Sequence, residues 1–159
     1  MKARVELARD PKFFQRLLAV EAAVHAGGLD AKLLHLVKLR ASQINGCAYC
    51  IDMHTKDARA DGETEQRLYM VDAWREAPFY SDRERAALEW TESVTLVATT
   101  RVPDAAYETV RAHFSEEEIK TLTLAIVMIN TWNRLNVAFR SVPGDYKPGM
   151  FAAFKQAAS

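Results

Sequence analysis

The chain's two cysteines, Cys47 and Cys50, lie in the stretch NGCAYCIDMHTKDAR, and His54 follows four residues after the second. Thiols at this spacing can ligate a metal, close a structural staple, or cycle between dithiol and disulfide. If a helix starts near Cys47, after the turn-forming Asn45-Gly46, then at roughly 100° per residue Cys47, Cys50 and His54 fall within about 60° of arc. All three then project from one face near a helix N-terminus. Free backbone N–H groups and the helix dipole stabilise a thiolate there, and the thiolate is the nucleophile. A free cysteine ionises near pH 8.5, and Cys-x-x-Cys at a helix start lowers that by about one unit or more. His54 can donate to a thiolate or relay its proton.

Three readings of the pair stay open. A structural zinc site needs four ligands. His54, His35, His25 or His113 could complete one, but no second paired motif exists. An inert buried pair is the blander reading. Redox cycling is the favoured one, and a thioredoxin-like setting is disfavoured because the stretch before the motif reads as helix rather than strand.

The elements that must position these residues are helical. Pro11 opens a helix and Gly27-Gly28 closes it. Asp30 caps AKLLHLVKLRASQI. Ser81 with Glu84, and Ser115 with Glu118, form capping boxes ahead of apolar stretches. In the first stretch Ala86, Trp90, Val94 and Val97 share one helical face. Pro103 opens a short helix ending near Phe114. The helix after Ser115 carries Ile119, Leu122, Ile126 and Ile129 on one side and Leu124, Met128 and Leu135 on the other, so it is expected to be central or buried between subunits. No stretch alternates with period two. The expectation is an all-α bundle, one domain over residues 1–159, with no repeat or linker.

Composition narrows the function classes. Lys+Arg and Asp+Glu number 21 each, so nothing predicts attraction to nucleic acid or anionic lipid. The N-terminus has charges throughout and no apolar signal region. The most apolar run, LTLAIVMI, is too short to span a bilayer. A soluble cytoplasmic protein is expected, without cofactor or metal. In a reducing compartment a lone cysteine pair is more often catalytic or metal-binding than structural.

The stretch LVKLRASQINGCAYCIDMHTKDAR resembles the core motif of the AhpD-like branch of the carboxymuconolactone decarboxylase family. The segments RLYMVDAWREAPFYSDRERAALEWTESVT and NTWNRLNVAFR fit the same branch, so the resemblance covers most of residues 30–140. It implies an all-helical fold, homo-oligomers (trimer or hexamer) and peroxidase-type thiol chemistry. By position, Cys50 matches the peroxide-attacking cysteine, Cys47 the resolving one, and His54 the histidine of the proton relay. Decarboxylases of the wider family lack the cysteine pair. The family's usual glutamate, twelve residues before the first cysteine, is His35 here. Helical periodicity puts His35 opposite the Leu33, Leu36 and Val37 face, beside Lys38 and Ser42. It is either a solvated surface residue or a rewired relay group.

Other residues have structural expectations. Asn130 and Asn133 should bond a neighbouring helix or subunit, with a place lining the active site as the alternative. Arg59 should pair with a carboxylate such as Glu63, its i+4 neighbour. Tyr49 and Trp132 are expected in packing or interfaces, and Glu84 in its capping box. The implied activity is reduction of hydroperoxides through a Cys47–Cys50 cycle. The implied reductant is a dithiol or a lipoylated protein. The alternatives are a non-catalytic redox sensor and a metal-binding module.

Overall fold

Short polar side chains and prolines set the helix boundaries in the structure, a computed structural model that describes residues 2–6 and 11–151. The last eight residues of the expected single domain lie outside this range. Among the described residues the helices run in order: α1 Pro11–Ala26, α2 Ala31–Ile44, α3 Ala48–Ala60, α4 Glu65–Met70, α5 Asp82–Thr95, α6 Val97–Thr100, α7 Asp104–Arg111 and α8 Glu116–Phe139, with a 3-10 turn, Val71–Ala73, after α4. Among the described residues there is no strand, as expected of an all-α chain. No helix among them is long and apolar enough to cross a membrane.

The capping residues act as their chemistry predicts. Asp30 accepts from the N–H groups of Lys32 and Leu33 at the start of α2. Ser81–Glu84 and Ser115–Glu118 are complete capping boxes opening α5 and α8. Each satisfies orphan donors of the first turn, worth about 1 kcal/mol.

The central element is α2, which packs against α3, α5 and α8. One of its sides joins a cluster with Val24, Trp90, Val110, Leu122 and Ile126 through Leu33, Leu34 and Val37. Another joins Ala58, Leu68, Val71, Trp74 and Leu88 through Leu36 and Leu39. Each fully buried leucine or isoleucine contributes roughly 1.5–3 kcal/mol relative to exposure. Ile119, Leu122, Ile126 and Ile129 of α8 are buried as expected, and so is Met128. Leu124, Val127 and Val137 stay exposed, so α8 is central on one side only.

One face differs from expectation. Ala86, Trp90 and Val94 do join the core, but α5 ends at Thr95 and Val97 belongs to α6, where it is 52% exposed. The stretch TLVATTRV is rich in β-branched residues, which hold a helix poorly. Arg101 then turns left-handed, at φ 57°, ahead of Pro103.

Candidate active site

The end of α2 delivers the chain directly into the cysteine helix. Gly46, at φ +65°, donates its N–H to Gln43 O, and Cys47 N–H bonds to Ser42 O at 3.0 Å. This is a Schellman ending, and its left-handed position suits glycine. The residue after that glycine, Cys47, is at once the N-cap of α3: its Sγ accepts from Cys50 N–H at 3.3 Å. The Asn45 side chain donates toward Asn130 Oδ1 and Asn133 Oδ1, pinning this turn to α8.

Cys47 and Cys50 are disulfide-bonded, with Cα atoms 5.4 Å apart, and both are 1% exposed. His54 is buried one turn beyond Cys50. The expected shared face of Cys47, Cys50 and His54 is therefore present. From α8, Asn136 Nδ2 lies 3.5 Å from Cys50 Sγ and also donates to Trp132 O at 2.9 Å.

A cavity of about 640 Å³ opens beside this motif. Cys50 and His54 line it, and Cys47 is not among its lining residues. Leu18, Leu34, Met53, Ile129 and Trp132 supply apolar wall, and Tyr146 closes part of it from the C-terminal segment. That segment is tied across α3. Lys56 Nζ donates to the carbonyls of Gly144 and Tyr146, Gly144 N–H donates to Asp52, and Tyr146 OH donates to Asp57 at 2.8 Å. Burial, and then the bond to Asp57, push the Tyr146 hydroxyl well above its ordinary range, so it stays a donor. Burial also raises Asp52, but the hydrogen bonds from Lys56 and Gly144 and the nearby Arg59 charge outweigh it and hold that carboxyl low. Burial and the Asp52 charge raise Tyr49, another lining residue.

His35 also lines the cavity, which corrects the reading of a solvated surface residue. Its side chain is 14% exposed and its Nε2 lies 2.7 Å from Asp61 Oδ2. The whole supposedly polar face of α2 is interior: Lys38 is 5% exposed and Ser42 is fully buried. Lys38 Nζ bonds Glu21 Oε2 of α1 at 2.6 Å, and Trp132 Nε1 donates to Glu21 Oε1 at 3.0 Å. Sequence reasoning missed Glu21, Lys38 and Asn136 as site residues. Asn130 and Asn133 behave as inter-helix ties, to Thr95 and Ser42 respectively. Arg59 pairs with Glu65 instead of Glu63, which is bound by Arg67. Among the described residues no three His, Cys, Asp or Glu side chains are gathered as a metal site.

Comparisons with known proteins agree with this geometry. The uncharacterized protein YdfG of Bacillus subtilis is 47% identical over 128 residues, covering 80% of this chain and 87% of its own. A crystal structure of a protein of unknown function from Agrobacterium tumefaciens, a candidate antioxidant defence protein AhpD, is 49% identical. It covers 91% of this chain and all of its own, with a TM-score of 0.88. The alkylhydroperoxidase AhpD core of an uncharacterized peroxidase-related protein from Ralstonia eutropha shares the fold at 24% identity and TM-score 0.77, over 87% of this chain and 74% of its own. Residues 11–93 match the model of the carboxymuconolactone decarboxylase family. The chain belongs to that family, in its AhpD-like branch.

Proposed function

We propose that the protein is a thiol-dependent hydroperoxide reductase in which Cys50 attacks and Cys47 resolves. The observation that carries this reading is the asymmetry of the pair: Cys50 faces the cavity, and Cys47 sits behind it as the helix cap. The Cys50 thiolate attacks the terminal peroxide oxygen. The S–O bond forms, the O–O bond breaks, and the departing alkoxide takes a proton. Cys47 then attacks the Cys50 sulfenic acid, releasing water and leaving the disulfide. A dithiol or lipoylated protein supplies the two electrons that restore both thiols. His54, buried beside Cys50, relays protons in this scheme.

The test is single-turnover oxidation of reduced protein by an organic hydroperoxide, followed by intact mass and thiol count. The wild type should lose both thiols per equivalent of peroxide. Cys47→Ser should form a trappable sulfenic acid on Cys50, and Cys50→Ser should lose peroxide reactivity. Sulfenic acid trapped on Cys47 in Cys50→Ser, with none in Cys47→Ser, would reverse the roles. Survival of both wild-type thiols would end the peroxidase reading.

A further inference from the structure

The Glu21–Lys38 pair has no evident structural necessity. Its side chains are 8% and 7% exposed, and it bridges α1 and α2 in the cavity wall, where Leu18, Leu34, Ile129 and Trp132 also lie. Removing two charges from water is costly, and well-packed apolar residues often replace such a pair without loss of stability. Stability is therefore a poor explanation for it. Lys38 Nζ has three N–H donors, and among the described residues Glu21 is its one hydrogen-bond acceptor. Its position on the cavity wall shared with Cys50 leaves donors for a bound molecule. Glu21 is itself held by Trp132, whose carbonyl accepts from the same Asn136 amide that approaches Cys50. The charge pair and the sulfur thus share one set of supports.

We infer that Lys38 is the acid that protonates the leaving alkoxide, and that Glu21 is the positioning residue that keeps its ammonium aimed. The inference rests on the peroxidase reading. In the step, two electrons pass from the Cys50 thiolate to the peroxide. The S–O bond forms, the O–O bond breaks, and the alkoxide takes a proton from Lys38 Nζ to leave as the alcohol. Lys38 recovers through water the proton that Cys50 released when it ionised. A lysine can do this because its ammonium donates in any of three directions while one donor stays on Glu21.

Leaving-group dependence separates this role from a structural one. An alkoxide is a poor leaving group without a proton. Acetate, released from peracetic acid, is a stable anion and needs none. Rates of Cys50 oxidation are measured by stopped flow with tert-butyl hydroperoxide and with peracetic acid, for wild type, Lys38→Met and the double variant Glu21→Gln/Lys38→Met. The double variant removes both charges and so carries the comparison if the lone Glu21 charge in Lys38→Met impairs folding; circular dichroism checks each protein. Losing the acid should slow the tert-butyl hydroperoxide reaction by about 10²–10⁴-fold, the range of general acid–base groups. The peracetic acid reaction should slow less than about tenfold, within the effect of a modest packing change. Equal slowing with both oxidants, or slowing with neither, would overturn the role of Lys38 and leave the peroxidase reading standing. A wild type oxidised by neither would sink the peroxidase reading, and this inference with it.

Discussion

Asn136 offers a direct probe of how the fold activates Cys50. Its amide Nδ2 is 3.5 Å from the sulfur, and both side chains are shielded from water. In the reduced protein that contact becomes an N–H donor facing a thiolate. A hydrogen bond to a charged group is worth roughly 1.5–3 kcal/mol, and one pKa unit corresponds to about 1.4 kcal/mol. Asn136→Leu keeps much of the volume and removes the donor, so the Cys50 thiol should titrate about one to two units higher. Where the thiolate is the minor form, its reaction rate should then fall about 10–100-fold. At alkaline pH, where the thiolate is complete in both proteins, the rates should converge. Iodoacetamide alkylation of Cys50 in a Cys47→Ser background, followed by mass spectrometry across pH, reads this directly and presupposes no peroxide chemistry. The expected signature is a profile displaced along the pH axis with an unchanged plateau. An unmoved midpoint would refute thiolate stabilisation by Asn136, and a lowered plateau with the midpoint in place would point to altered access instead.

His35→Ala should slow Cys50 oxidation by less than about tenfold, because its ring is bonded to half-exposed Asp61, a pairing worth only about 0–1 kcal/mol. A larger loss under stopped flow would restore His35 as a relay group. Glu92 accepts from Trp74, Arg75 and Arg40; burial raises its carboxyl, but those bonds outweigh it and hold it below the ordinary range. A depressed folded-state pKa contributes stability above the unfolded value that is lost as pH falls through the folded one. Glu92→Gln should therefore cost about 2–3 kcal/mol near neutrality, and thermal melts should show the gap to wild type closing in acid; a gap independent of pH would contradict this. Exposed Leu124, Val127 and Val137 on α8 predict self-association, so light scattering should give a multiple of 17.9 kDa, a trimer or hexamer by family likeness, and Val127→Glu should weaken it. A monomer at every concentration would oppose that reading.

What was legible in the sequence was local. Asp30, Ser81 and Ser115 cap helices because an oxygen on a short side chain reaches an N–H two or three residues on, and no distant partner is needed. The shared face of Cys47, Cys50 and His54 followed from helix geometry alone. The failures were at element ends and in long-range pairing. Arg59 missed Glu63 because α3 ends at Ala60 and Gly62 turns left-handed, so the i+4 rule no longer applies, while Glu65 sits on the first turn of α4. Lys38 was legible only as polar. A helical wheel assigns such a residue to solvent, yet α2 packs against α3, α5 and α8, Lys38 is buried, and the partner that makes burial tolerable lies on another helix.

The departure at position 35 follows the same logic. A carboxylate there would meet the carboxylate of Asp61, which the start of the α3–α4 connection brings within 2.7 Å of the ring nitrogen now present. Like charges at that separation repel, whereas histidine can donate to Asp61 and close the wall. Position 35 and Asp61 are therefore one coupled choice, made across 26 residues of sequence. One turn further along α2, Lys38 faces the same cavity, and the carboxylate that accompanies it comes from α1 as Glu21. The cavity keeps a buried carboxylate although position 35 does not provide one. Returning glutamate to position 35 would set a new charge against Asp61 instead of recovering a missing group, so it is expected to perturb the cavity wall more than His35→Ala does.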